Sequence, residues 1–211
     1  MSKVEWKPGT FVYPIPAVMV TSGDMENSNI ITVAWTGILN TNPAQVYISV
    51  RPERYSHDII KETGEFAINL TNSKLVFATD WCGVKSGRDV DKFKEMHLTK
   101  QKLNHINCPG IEESPVTIEC KVKEIRPLGS HDMFIADVLS IDADEKYINE
   151  YLKYLQQDFE SDIKENGTTK GKTVSGSSKK KTYEYVNNMK ITYEQKLMLL
   201  GTQYKLNDTE R

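Results

Sequence analysis

Two long alternating segments joined by a compact turn constrain this chain most. Val116–Ile125 and Asp132–Ile141 alternate apolar and polar residues, with Arg126-Pro-Leu-Gly-Ser130 between them. Such alternation puts every second side chain on one face, so both segments read as half-buried strands. Proline and glycine in the joining segment suit a tight reversal, which makes the pair a hairpin. Further strand signals precede it. Asn29–Thr36 is rich in β-branched residues, Val46, Ile48 and Val50 alternate with Tyr47 and Ser49, and Glu65–Leu70 is another such run. Thr10–Thr21 is interrupted by Pro14 and Pro16, which suits edge strands because proline has no ladder donor. Helical signals are short: Ser56 to about Glu62 closed by Gly64, then Ser73–Asp80 and Asp89–Met96. Many strands with few, short helices predict a mainly β fold, a closed antiparallel barrel.

Composition narrows the class of function. A chain of 211 residues can bury a sizeable core in one domain and still carry an appendage. A net charge of −2 gives no global attraction to nucleic acid or an acidic membrane, so neither partner is expected. No apolar run approaches the roughly 18 residues of a membrane helix, and the first residues do not resemble a signal peptide. Cys82, Cys108 and Cys120 cannot all pair and lack zinc-ligand spacing. Cys120 lies in an alternating strand and reads as a small core residue. The cytoplasm is the expected compartment.

Acids outnumber bases up to about residue 145, and bases outnumber acids beyond it. Composition shifts at the same place, so a core domain over 1–147 and an extension over 148–211 are expected. Within the extension, Ile148, Tyr151, Leu152, Leu155, Phe159 and Ile163 have helical spacing, closed by Asn166-Gly167. Thr168–Lys181 reads as a Lys/Gly/Ser-rich flexible linker. From Thr182 onward apolar residues return, as in a segment that docks on something.

One stretch combines strand, breaker and helix start. In Val46–Asp58 the strand delivers Arg51 and Arg54 to a helix for which Ser56 is a good N-cap, while Pro52 ends the ladder. A helix start has unpaired N–H groups and positive potential that suit a phosphate, and arginines can grip it in a fork. On these residues alone, an exposed turn with solvated arginines is an equal alternative. Ala78–Phe93 forms a second block, with an aromatic, small residues, a hydroxyl and three cations read as one loop between short helices. Gly83 and Gly87 let backbone amides approach a ligand, and the Lys92 stem can pack while its head enters a cleft. A polar helix connection with a surface lysine is the plainer reading of the same block. G-x-G-x-x-G, P-loop, G-x-S-x-G and H-E-x-x-H patterns are absent from the sequence.

From about Val4 to Tyr147 the chain resembles the flavin reductase-like proteins of the flavoredoxin type, which hold FMN in a split β-barrel. The resemblance rests on ordered blocks: Pro16–Thr21, Asn29–Gly37, Val46–Ser56, Thr63–Asn69, Cys82–Phe93 and Gly129–Phe134. It implies a Greek-key-like antiparallel split barrel with short peripheral helices and a helical C-terminal extension. It also implies that Asn29, Trp35 and Thr36 line the flavin side, and that Ser49, Val50 and Arg51 run beside the cofactor. Arg54 and Ser56 would meet its phosphate, and Cys82, Gly83, Ser86 and Lys92 would approach the ring and ribityl chain. His131 would lie near the ring of the same or a partner subunit, with an uninvolved loop histidine as the alternative. The implied function is an FMN-binding oxidoreductase, drawing on NADH, NADPH or a redox protein partner and working as a homodimer. A flavin carrier or sensor without turnover is the alternative. The extension departs from the pattern: it lacks the His-Gly-Glu-Tyr-like run with which such proteins end. Tyr183 or Tyr185 is a candidate substitute for their aromatic near the flavin. The basic linker reads as a solvated tether, though it could also attract an acidic protein or the extra phosphate of NADPH.

In such a site the flavin supplies the redox chemistry, and the protein sets its position and potential. Reduction leaves negative charge on the pyrimidine end of the ring, which a lysine there would stabilise. Lys92→Met is therefore expected to make bound FMN harder to reduce, read as a lower midpoint potential in spectroelectrochemistry; an unchanged potential would remove Lys92 from this role.

Overall fold

The computed structural model describes residues 3–146, in which the long hairpin is the spine of a seven-stranded antiparallel sheet. The elements are β1 (Val18–Gly23), β2 (Ser28–Val33), β3 (Thr36–Thr41), β4 (Ala44–Val50), α1 (Tyr55–Thr63) and β5 (Glu65–Asn69). A 3-10 turn (Ser73–Leu75), α2 (Val76–Val84), α3 (Lys92–Glu95) and the short pair β6 (Lys100–Gln101) and β7 (Gly110–Ile111) follow. The hairpin is β8 (Val116–Pro127) and β9 (Asp132–Ala143). The chain divides after Ala143 into two compact units, and the sheet belongs to the first. The helix, linker and docking segment expected over 148–211 lie outside the described residues.

Strand order is β2-β1-β5-β8-β9-β4-β3. The hairpin reverses at Leu128–His131, where the Leu128 N–H donates to the His131 carbonyl at 2.9 Å. Gly129 takes φ of 98° there, a left-handed conformation that glycine adopts without a Cβ penalty. Each hairpin strand then recruits one neighbour: β8 pairs with β5 from Glu65↔Lys121, and β9 pairs with β4 from Val50↔Asp132. Register shifts at Glu119/Cys120 and Val122/Glu124 mark bulges, which bend and twist a strand pair. The sheet curls so that Val18, Val20, Ile48, Val50, Phe66, Ile68, Cys120 and Phe134 meet in one core, with Ile60 of α1 among them. Cys120 is thus a small core residue, as its strand pattern implied. The mainly β antiparallel architecture expected from the sequence is the one observed.

Local expectations fared unevenly. Gly64 closes α1 as expected, with φ of 71° and its N–H on the Ile60 carbonyl. Thr10–Thr21 is not a pair of edge strands: residues 3–17 are irregular, and β1 begins after both prolines, between β2 and β5. It has no alternation because both faces are covered. Val18 and Val20 enter the barrel core, while Met19 packs under α2 and α3 with Ile30, Cys82 and Phe93. Asn29–Thr36 is likewise not one strand. β2 ends at Val33, and β3 starts at Thr36 to pair with β4 instead of β1. The helix expected over Ser73–Asp80 runs on to Val84 as α2, so the loop between helices is only 85–91. The Asn72 side chain accepts the N–H groups of Lys74 and Leu75 at the start of this helical stretch, and Asp91 accepts that of Lys94 at the start of α3.

Phe134 is fully buried in the barrel core, whereas Leu139, five residues on in the same strand, is partly exposed. Phe134→Ala is expected to cost about 3–5 kcal/mol of unfolding free energy in urea titrations, and Leu139→Ala about 1 kcal/mol or less.

Candidate functional site

The end of β4 and the start of α1 form the first wall of the site. After Val50 the chain turns over Pro52, with the Arg54 N–H donating to the Arg51 carbonyl at 3.0 Å. The N-cap of α1 is Arg54, in extended conformation and without a side-chain cap hydrogen bond. Ser56 is therefore not the cap expected from the sequence. The Arg51–Arg54 turn brings the chain into helical geometry earlier, and the His57 N–H already donates to the Arg54 carbonyl at 2.9 Å. Ser56 instead sits one turn-step inside, fully buried, with its Oγ accepting from Asn29 Nδ2 at 2.8 Å. The result is a helix start whose leading N–H groups receive no side-chain cap, flanked by Arg54.

The second wall comes from α2, the 85–91 loop and α3. A Cβ on Gly83 would stand 3.2 Å from Thr32 Cβ, and one on Gly87 only 2.0 Å from Asn29 Oδ1. These glycines bring α2 and its loop close onto β2, so their first effect is packing against protein. Lys92 is buried, and its Nζ donates to the carbonyls of Ile30 and Cys82, both at 2.7 Å. Burial holds its pKa below the ordinary lysine value; the Cys82 thiol opposes the shift and Arg54 adds to it. An ammonium has three donors, so two carbonyls leave one for the cavity that Lys92 lines. Burial also pushes the Cys82 thiol up to about 11, with Lys92 partly offsetting it, so Cys82 is no thiolate nucleophile at neutral pH. Between the two walls lies a cavity of about 220 Å³, bordered by Asn29, Arg54, Ser56, Cys82, Ser86 and Lys92 among others.

A second lobe of about 200 Å³ shares Ile31 and Arg54 with the first. It lies where the C-terminal ends of β2 and β4 meet the hairpin turn, lined by Trp35, Ser49, Val50, Arg51 and His131. The Ser49 N–H donates to the Trp35 carbonyl at 2.8 Å, which ties the two strand ends together here. The Trp35 and His131 rings lie 4.2 Å apart between centroids at 31°. His57 Nε2 stands 2.9 Å from Asp132 Oδ2, linking α1 to the first residue of β9, next to His131. Loss of water around the His131 imidazole lowers its pKa; Arg51 and Arg54 push the same way and Glu53 opposes them.

Twelve of the thirteen residues expected from the sequence line these two lobes. Thr36 does not: it sits on β3, and its hydroxyl donates to the Tyr47 carbonyl at 2.8 Å. Sequence reading missed Ile31, Tyr55 and Arg88. Arg88 Nη1 donates to the Glu53 carbonyl at 3.1 Å, and its guanidinium lies 5.2 Å from the Tyr55 ring centroid. Its place among Gly83, Lys85 and Gly87 was the available signal. Ile31 gave none, because it looks like any other strand residue.

The site thus sets a cationic helix start beside a slot bordered by the Trp35 and His131 rings. The flavin reductase like domain matches residues 10–161, and the chain belongs to that family. Flavoredoxin of Desulfovibrio vulgaris has the same fold with a TM-score of 0.64 and 30% identity, over 69% of this chain and 78% of its own. Flavoredoxin from Methanosarcina acetivorans aligns with a TM-score of 0.64 and 26% identity, over 70% of this chain and 78% of its own. An NADPH-flavin oxidoreductase of Streptomyces viridifaciens is 26% identical over 60% of this chain and 65% of its own length. The family is one of flavin-linked redox proteins. Among the described residues, no helix is long and apolar enough to cross a membrane.

Because native surroundings favour neutral imidazole, a proton NMR titration of His131 is expected to show a midpoint below the ordinary value of about 6.5. Its contribution to stability is present above that pH and lost as pH falls through the depressed midpoint. Arg51→Ala should move the midpoint upward; no movement would exclude Arg51 as a cause.

Proposed function

We propose that this protein is an FMN-binding oxidoreductase that passes electrons from NADH, NADPH or a redox protein through the bound flavin. One observation carries the reading: an uncapped helix start with Arg54 opens into a cavity joined, through Ile31 and Arg54, to a slot bordered by Trp35 and His131. A terminal phosphate suits the first feature and a flat ring system the second. The donor set fits the group. Arg54, the first-turn amides of α1 and the Ser56 hydroxyl can hold the phosphate. Ser49, Val50 and Arg51 run beside the ligand, with Asn29, Cys82, Gly83 and Ser86 on the opposite side. When bound, the flavin supplies the electron transfer.

What these residues do is orient and bias. Lys92 places a desolvated ammonium at the cavity wall, where its interaction with an anionic ligand is weakly screened. His131, whose surroundings favour the neutral imidazole, can stack or donate a hydrogen bond. No side chain has to act as a nucleophile, which accords with a Cys82 thiol that stays protonated. The flavoredoxins and the NADPH-flavin oxidoreductase among its relatives support the assignment. In this reading the protein is a cytoplasmic homodimer; the exposed Ile38 and Leu39 on edge strand β3 support association.

Mixing purified protein with FMN is expected to give a yellow complex that NADH or NADPH bleaches without oxygen. Replacing both Arg54 and Ser56 with alanine should weaken FMN binding about 100-fold, the loss of two hydrogen bonds to a charged group. A complex that only dithionite reduces would make the protein a carrier, and failure to take up FMN would end the flavin assignment.

A further inference from the structure

We infer that Asn29 is a positioning residue that turns the Ser56 hydroxyl proton toward the ligand, and so makes the site select phosphorylated over unphosphorylated flavin. The inference rests on the FMN reading above and adds the means of discrimination.

A serine hydroxyl has one proton to donate and two lone pairs to receive others. Within a helix such a proton usually goes back to the carbonyl four residues earlier. Two other hydroxyls in this fold do so: Thr63 Oγ1 donates to the Ile59 carbonyl at 2.9 Å, and Thr79 Oγ1 to the Leu75 carbonyl at 2.7 Å. Ser56 does not. Its one hydrogen bond among the described residues is the one it accepts from Asn29 Nδ2 at 2.8 Å. A fully buried hydroxyl therefore has a lone pair filled and a proton with no protein acceptor, at the edge of a cavity bordered by Arg54 and Lys92. A donor without an acceptor in such a place is complementary to an anionic oxygen and repels a further donor.

Asn29 is held so that it cannot take the proton itself. Its Cα pairs with Ser22 on β1, which fixes the side chain on the cavity face of β2. On the far side it abuts Gly87, where a Cβ would lie 2.0 Å from Asn29 Oδ1 and 2.5 Å from Cγ. The amide is thus set between Ser56 and Gly87, where a Cβ would push it aside. This gives Gly87 a purpose beyond loop flexibility, and makes the 85–91 loop part of the phosphate selection although it need not touch the phosphate.

The experiment compares FMN and riboflavin, which differ by the phosphate, as fluorescence-quenching titrants of the full chain. For Asn29→Ala, FMN affinity should fall about tenfold more than riboflavin affinity, because the freed hydroxyl no longer presents its proton. Gly87→Ala should produce the same selective loss by displacing Asn29. Added to Asn29→Ala, it should bring little further change, since the clash has gone. The Asn29→Ala effect on the ratio should also vanish in a Ser56→Ala background. Equal losses for both flavins in both variants, or independent effects of Asn29 and Gly87, would overturn the inference by showing that Asn29 only shapes the pocket. Should one variant fail to fold, the other still decides. A wild-type protein that binds no FMN would instead bring down the reading beneath it.

Discussion

The β8–β9 ladder is the interaction on which the remaining structure depends. It is the longest strand pairing in the sheet, and the two strands that frame the interior, β5 and β4, each pair along one side of it. Bulges near Cys120 and Val122 bend this ladder, which lets Phe66 from one neighbour and Ile48 from the other reach a common core. Without that curvature the two apolar faces would lie in a flat sheet with no shared interior. The same hairpin presents His131 at its turn, so the curvature of the sheet and the placement of a cavity-lining residue have one mechanical origin.

The site sits where the barrel is incomplete. The Ser49 to Trp35 hydrogen bond ties the end of β4 to the segment after β2, and the cavity lies beside that contact. Polar groups lining it are largely committed to protein partners. Lys92 serves two carbonyls, Asn29 serves Ser56, and Arg88 serves the Glu53 carbonyl. Such commitments hold these side chains in place. Preorganisation of this kind favours binding because little ordering remains to be done when the ligand arrives.

Sequence reasoning succeeded where a signal is local. The hairpin, the alternation of β4 and the glycine stop of α1 depend on neighbouring residues, and all three are present in the structure. Val46–Asp58 was legible as a cationic helix start for the same reason. The misses share a different cause. β1 looked like edge strands because prolines adjoin it and its two covered faces erase the alternation. Thr36 looked like a site residue because it follows Trp35, but the chain bends there and sends it to β3. Arg88 was passed over because its partners, the Glu53 carbonyl and the Tyr55 ring, lie more than thirty residues away along the chain.

What the sequence by itself determined is the kind of fold and where its cations cluster: residue periodicity dictates strands, and Arg51 and Arg54 stand side by side at a helix start. The tertiary structure alone decided which of those groups are spent and which are free. Lys92 was drawn onto the carbonyls of Ile30 and Cys82, and the side chain of Asn29 was set between Ser56 and Gly87. Each of these outcomes depends on contact between segments remote in the chain. Periodicity and local propensity carry no record of such contacts, because they describe a residue's neighbours along the backbone and not those across the barrel.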